Sequence, residues 1–380
     1  MPVQAARTVG RRTLLIAVLA GAAGLVAEGR QVTAAGGGSP TGAQGGVSGG
    51  VQGGVSGDGL TAEGAGQAFV GRRPPLAEGA VDWSRLPSEP ATAWADASGW
   101  AAPLRPVARG PLADLATLPR GGRRVFPRFR LVGFCGLPGA AALGRLGIGS
   151  LRDRVADVER MAGRYGVDRE PLPVLELIAV VVQGSPGPDG TYRTRVPPQV
   201  IRQHLVAARQ GGALLLLNVQ PGRARFLDEV RALEPWLREP DVGVALDPEW
   251  AIGPGQVPGK VFGQVAGSEL DAVAGYLSGL VVRGDLPEKV MVVHQLAPPI
   301  IRGQAALRDH PGVAVVKSVD GIGPAAAKVD TWRRLVSGMP AVMHPGFKLF
   351  FDEDARGGSR LMSPDQVLAL TPRPEYVMYE

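Results

Sequence analysis

The sequence predicts an α/β protein: a (β/α)8 barrel of the TIM type over residues 125–380, its last helix missing, behind a disordered N-terminal region. Three observations predict it. Short apolar runs alternate with segments of helical period, and the alternation counts to eight. The runs are almost continuously apolar, as expected of parallel strands covered on both faces. Nearly every run turns polar at the same end, where barrels of this type gather their chemistry.

The units follow in order. "FRLVGF" (129–134) leads into the helical "SLRDRVADVERMAGRYG", and "LPVLELIAVVV" into "PPQVIRQHLVAARQG". "GALLLLNVQ" precedes "ARFLDEVRALEPWLRE", and "VGVALD" precedes "SELDAVAGYLSGLVVRG". "EKVMVVHQ" is followed by a short helical "IRGQAALRDH", and "VAVVKSV" by "PAAAKVDTWRRLVSG". The seventh strand lies within "AVMHPGFKLFF", ahead of "SPDQVLAL", and "EYVMY" is the eighth. Eight units in about 255 residues fit the usual barrel size. Some of residues 75–125 are expected to cover the place of the eighth helix. An open doubly wound sheet is the competing fold. It would pair a glycine-rich turn with an acid about 20 residues later; "GFCGLPGAAALG" supplies the glycines, but no such acid follows.

The first 124 residues read differently. Arg11 and Arg12 stand before an apolar run too short for a membrane span, and small residues at Thr33–Ala35 offer a cleavage site. Residues 1–35 therefore resemble a twin-arginine export signal, although Gly10 precedes the arginines and no lysine follows. The plainer alternative is an uncleaved membrane anchor, the only membrane contact expected. Residues 36–72 repeat "GGVSG" and carry too little apolar area to offset their ordering entropy, so they read as a flexible linker. Residues 73–124 are rich in Pro and Ala. They are expected to dock in part against the domain or to remain disordered, and Trp83, Trp94 and Trp100 favour partial docking. A secreted or cell-envelope location follows from this leader.

Composition narrows the function classes. The formal charge is +6, but no basic stripe interleaves with aromatics, so nucleic acid is not an expected partner. Cys135 is the single cysteine, which excludes an intramolecular disulfide and a cysteine metal site. In "LVGFCGLPG" a small buried residue at a strand end is a simpler reading of Cys135 than a nucleophile. The four histidines, 204, 294, 310 and 344, lack metal-ligand spacing. No metal and no cofactor is expected. "GPGQVPGK" (253–260) fails as a phosphate loop, because Pro254 stands at the first glycine and Val261 follows Lys260.

The candidate site is read off the polar ends of the strands. The third supplies Asn218 and Gln220, the fourth Asp247 and Glu249, and the fifth His294 and Gln295. The sixth supplies Lys317 and Asp320, and the seventh Lys348. Glu176 lies inside the apolar second run, where a carboxylate costs several kcal/mol unless paired; Lys348 and Lys317 are its expected partners. Turn and capping roles compete at each strand end, since loops are polar anyway.

"VGVALDPEW" (242–250) is the most informative stretch. Strand alternation puts Val242, Val244 and Leu246 on one face, and Gly243, Ala245, Asp247 and, if the strand continues, Glu249 on the other. The small face suits the crowded barrel interior. Both acids are then expected in the mouth, roughly 6.5 Å apart along the backbone. Neighbouring carboxylates repel, one pKa rises, and a protonated acid beside an ionised partner is what glycosidic cleavage needs.

This stretch resembles the fourth-strand signature of chitinase-type (family 18) glycosidases, D-G-x-D-x-D-x-E followed by an aromatic. Gly243, Asp247, Glu249 and Trp250 match; Val242 and Ala245 replace the two earlier aspartates, and Pro248 is unusual at its place. The D-x-E is also similar to that of lysozyme-like barrels of family 25. The resemblance implies that Glu249 is the general acid. It implies that Asp247 is the partner that orients a substrate acetamido group. Trp250 would stack on a sugar. The family's tryptophan on strand eight is absent, with Tyr376 and Tyr379 there instead, and Tyr379 is the expected ligand contact. As a whole the chain resembles secreted actinobacterial proteins of unassigned function. Three readings follow: a secreted glycan-acting hydrolase, a non-catalytic cell-envelope barrel that binds a saccharide or peptide, and a barrel enzyme holding an acidic substrate through Lys317 and Lys348. The first two share one expected partner, a polysaccharide or other cell-envelope ligand.

Overall fold

A computed structural model describes residues 116–380. The expected export signal (1–35), the expected linker (36–72) and the Pro/Ala-rich segment up to residue 115 lie outside the described residues. Within them the eight apolar runs form eight parallel strands: β1 (Phe129–Gly136), β2 (Glu170–Val182), β3 (Leu214–Val219), β4 (Val242–Leu246), β5 (Lys289–Gln295), β6 (Val313–Val319), β7 (Met343–Leu349) and β8 (Tyr376–Tyr379). Each pairs with the next, and β1 pairs with both β2 and β8 (Leu131 opposite Tyr376), so the sheet closes on itself. A closed sheet has no free edge, which is why strands this apolar can be exposed to no partner but their own helices.

The strand parity read from the sequence holds in the core. Small residues make room inside. A methyl on Gly243 would meet the Val290 carbonyl at 2.5 Å, and one on Gly346 would meet Val316 Cγ1 at 2.8 Å and the Tyr376 ring at 3.0 Å. Close approach at these two positions fills the interior with side chains and leaves no bore, as barrels of this size require.

Helices cover the outside: α1 (Leu151–Gly163), α2 (Pro198–Gln210), α3 (Phe226–Ala232), α4 (Glu234–Leu237), α5 (Gly267–Gly284), α6 (Ala325–Val336) and α7 (Pro364–Leu368). The Ser150 hydroxyl caps α1 by accepting from the Asp153 amide, and Ser363 with Gln366 forms a capping box on α7. The expected third helix is split at Leu233, because Pro235 cannot donate inside a helix and starts a new turn instead.

The expected helix after β5 does not form. Gly303 adopts a left-handed conformation (φ 60°) in the middle of "IRGQAALRDH", and Ile301–Arg302 pairs as a short strand with Val265–Ala266. Two single 3-10 turns, Pro298–Ile300 and Gln304–Ala306, take the helix's place. Glu380 follows the last residue of β8. Residues 116–124 run beneath the N-terminal strand ends: Leu118 is buried, Arg120 donates to the carbonyls of Pro171 and Gly212, and Arg123 to those of Ala116 and Leu286. Among the described residues no helix is long and apolar enough to cross a membrane.

Candidate active site

The site is built on alternate positions of the strands, all pointing into the C-terminal end of the barrel. Glu176 sits on β2 with no exposed surface. Its Oε1 accepts from Asn218 Nδ2 at 3.0 Å and lies 3.0 Å from His294 Nε2; its Oε2 accepts from the Tyr376 hydroxyl. Asp247 follows the last residue of β4. It accepts from Asn218 Nδ2 at 3.2 Å and Gln220 Nε2 at 3.0 Å, and His294 Nε2 stands 3.9 Å away. On its other side the imidazole meets Asp320, with Nδ1 and Oδ2 2.8 Å apart. Asp320 also accepts from the Ser318 hydroxyl at 2.8 Å and lies 3.4 Å from Lys348 Nζ, which pairs with Glu380 at 2.8 Å.

Seven strands, β2 to β8, thus bring together one polar network inside a hydrophobic barrel. The expected partners of Glu176 are corrected: no lysine touches it. An amide, an imidazole and a phenol satisfy it, and Lys348 acts on it through space.

Charge in this network is set by contact, not by solvent. Burial pushes the Glu176 carboxyl up, but the charge and hydrogen bond of His294, the Lys348 charge and the Tyr376 hydroxyl outweigh it and hold the group down at about 2. Burial likewise opposes ionisation of Asp320. His294 and Lys348 overcome it, and that carboxyl too is held at about 2. Burial disfavours the charge on Lys348, yet Glu380 and Asp320 hold its pKa well above the ordinary value.

Glu249 behaves in the opposite sense. The strand does not continue to it. β4 ends at Leu246 and Pro248–Trp250 turns into a single 3-10 turn, so strand alternation does not place Glu249 beside Asp247, which corrects the same-face expectation. Proline with its fixed φ suits such a turn and ends the ladder. The turn packs against β5 and still delivers the carboxyl to the network, within reach of the charges of Asp247, Asp320 and His294. Burial first, and then the Asp247 and Asp320 charges, push Glu249 up to about 8. It is 8% exposed, and its Oε2 has no hydrogen-bond partner. A protonated carboxyl with one uncommitted oxygen can give a proton to a group brought beside it, and the Asp247 oxygens, held by two amides, can orient it.

Four expected site residues do not reach the network. Lys317 is one residue out of phase with Ser318 and points to the helix layer, donating to Gln304 Oε1 at 2.6 Å and the Leu335 carbonyl at 3.2 Å; burial lowers it to about 8. Gln295 is out of phase with His294, and its amide donates to the Ala297 and Pro298 carbonyls. Tyr379 faces outward, bonding the Tyr165 hydroxyl at 2.6 Å and stacking on Phe351. Trp250 is 2% exposed, so it offers no open face for a sugar. Parity alone separates the first three from the interior set. The same parity marks Tyr376 and Glu380, which face inward and complete the network. Among the described residues no group of three or more His, Cys, Asp or Glu side chains is placed to hold a metal ion.

No protein-family model matches the chain, and no curated protein matches it. Among solved structures it is similar to a hyperthermophilic endo-β-1,4-glucanase in complex with its substrate. The identity is 8%, the TM-score is 0.33, and the match covers 66% of this chain and 87% of that one. At that distance no chemistry passes from the glucanase to this chain. The barrel stands on its own strand pairing.

Proposed function

We propose that the chain is a glycan-acting hydrolase in which Glu249 donates the proton to the leaving-group oxygen and Asp247 is its partner acid. One observation carries this reading: a buried carboxyl pushed up to about 8, with an unpartnered oxygen, stands beside ionised acids at the C-terminal end of a barrel. Asn218 and Gln220 fix the Asp247 oxygens through their amides, so the partner is oriented before substrate arrives. Glu176 and His294 support it from below. The partial likeness of "VGVALDPEW" to the family 18 and family 25 signatures favours a glycan as the substrate class. The leader over residues 1–35 favours a secreted or cell-envelope setting and a polysaccharide of that envelope as the partner.

A second reading, a barrel that binds a saccharide or peptide without cleaving it, is favoured by a different observation. Glu176, Asn218, Gln220 and Asp247 are joined by hydrogen bonds and nearly sealed from solvent, as a structural polar core would be, with only the Asn218 Oδ1 among them left without a partner.

Turnover separates the two. Across a panel of aminosugar and neutral polysaccharides the wild type is expected to release reducing ends from at least one. Glu249→Gln lowers kcat on it by about 10²–10⁴-fold with binding kept. Binding without cleavage by the wild type selects the second reading.

A further inference from the structure

His294 is enclosed by charge. Nδ1 lies 2.8 Å from Asp320 Oδ2 and Nε2 lies 3.0 Å from Glu176 Oε1, and the ring has no exposed surface. A neutral imidazole has one N–H and one lone pair. Set between two carboxylates it can donate to only one; its bare nitrogen would then face an oxygen anion. Two arrangements avoid this clash: a ring protonated on both nitrogens, or a neutral ring with a proton on one of the acids.

The second arrangement conflicts with the other partners of those acids. Glu176 Oε1 already accepts from Asn218 and its Oε2 from Tyr376, so each oxygen is engaged by a donor. Asp320 Oδ1 accepts from Ser318, and Lys348 lies 3.4 Å from Oδ2. A proton on either acid would discharge it although its remaining donors, Asn218 and Tyr376 on Glu176 and Ser318 and Lys348 on Asp320, favour the charged form. Asn218 cannot be flipped to accept it, because its amide nitrogen also serves Asp247.

We infer that His294 is a permanent imidazolium, a fixed internal cation that keeps the acids on either side of it ionised, and not a proton shuttle. The groups facing it from the packed elements agree. Glu176 on β2, Asp247 and Glu249 beyond β4, and Asp320 beyond β6 are acids. Lys348 on β7 opposes the charge, and burial opposes it more, yet the two contacting carboxylates outweigh both. Tyr376 and Cys135 lie near the same acids; burial holds both protonated, so they add no charge. In this role His294 is a positioning residue. With His294 fixed as a cation, Glu249 is the group in this cluster left to exchange a proton near neutrality. That consequence rests on the hydrolase reading; the charge state of the ring does not.

Nitrogen-15 NMR of the full chain labelled in histidine tests it directly, with four imidazoles to resolve. The His294 signals are assigned by their loss in His294→Gln. If that variant does not fold, His204→Gln, His310→Gln and His344→Gln assign them by elimination. At about pH 8.5, roughly 2 units above an ordinary imidazole pKa, both His294 ring nitrogens are expected to carry protons. A neutral tautomer at that pH overturns the inference, whether or not the protein cleaves any glycan. Absence of turnover with a doubly protonated ring overturns the hydrolase reading alone.

Discussion

At the residue scale the decisive group is Glu249, and it couples the site to stability. Its folded pKa, about 8, stands above the ordinary carboxylate value of 4.5. Between those two values the folded state binds a proton that the unfolded state has lost. Stability therefore falls as pH rises through that window and levels off above it, at up to about 1.4 kcal/mol per pH unit. Glu249→Gln keeps the shape of the protonated acid and removes the titration. Urea midpoints of the wild type are expected to drop between about pH 5 and pH 8, and those of the variant to drop less. Equal slopes would show that Glu249 is not held protonated. Its position was only partly legible. The D-x-E spacing points to it, but Pro248 turns the chain, and nearness to the charge of Asp320, beyond a distant strand, depends on tertiary structure.

At the element scale the strands were the easiest part to read, because burial on both faces writes an unbroken apolar run. Helices were harder wherever one glycine or proline decided the outcome. Gly303 dissolves the helix expected after β5, and Pro235 divides the one after β3. Parity within a strand was legible and separates His294 from Gln295 and Ser318 from Lys317. Only one member of each such pair reaches the network; Lys317 turns to Gln304 and Leu335, and Gln295 to the Ala297 and Pro298 carbonyls. Parity also explains Gly346. It lies next to Phe347 on β7 with its face turned inward, and its missing side chain leaves room for the Tyr376 ring that reaches Glu176. Gly346→Ala puts a methyl 2.8 Å from Val316 Cγ1 and 3.0 Å from the Lys317 carbonyl and the Tyr376 ring. The expected cost is about 1–3 kcal/mol in chemical denaturation. A change under about 0.5 kcal/mol, no more than a surface substitution gives, would mean that the interior is looser than this packing describes.

At the scale of the whole molecule, barrel closure turns scattered polar residues into a site. Glu176 and His294 are 118 positions apart, and Glu176 and Tyr376 are 200 apart; only a closed sheet brings them to one place. The sequence showed that the strands end in polar groups. It could not show that these groups bond one another, because a cross-barrel contact leaves no local spacing. The whole network has a pH signature. Glu176 and Asp320, at about 2, stay ionised across the neutral range. The proton on Glu249 is lost near 8. The most direct measurement is the pH dependence of kcat/KM on the polysaccharide that the panel identifies. Cleavage is expected to hold steady through mildly acidic pH and to fall about tenfold per unit above about pH 8, as the acid loses its proton. A rate that is flat or rising through that range would contradict Glu249 as the proton donor.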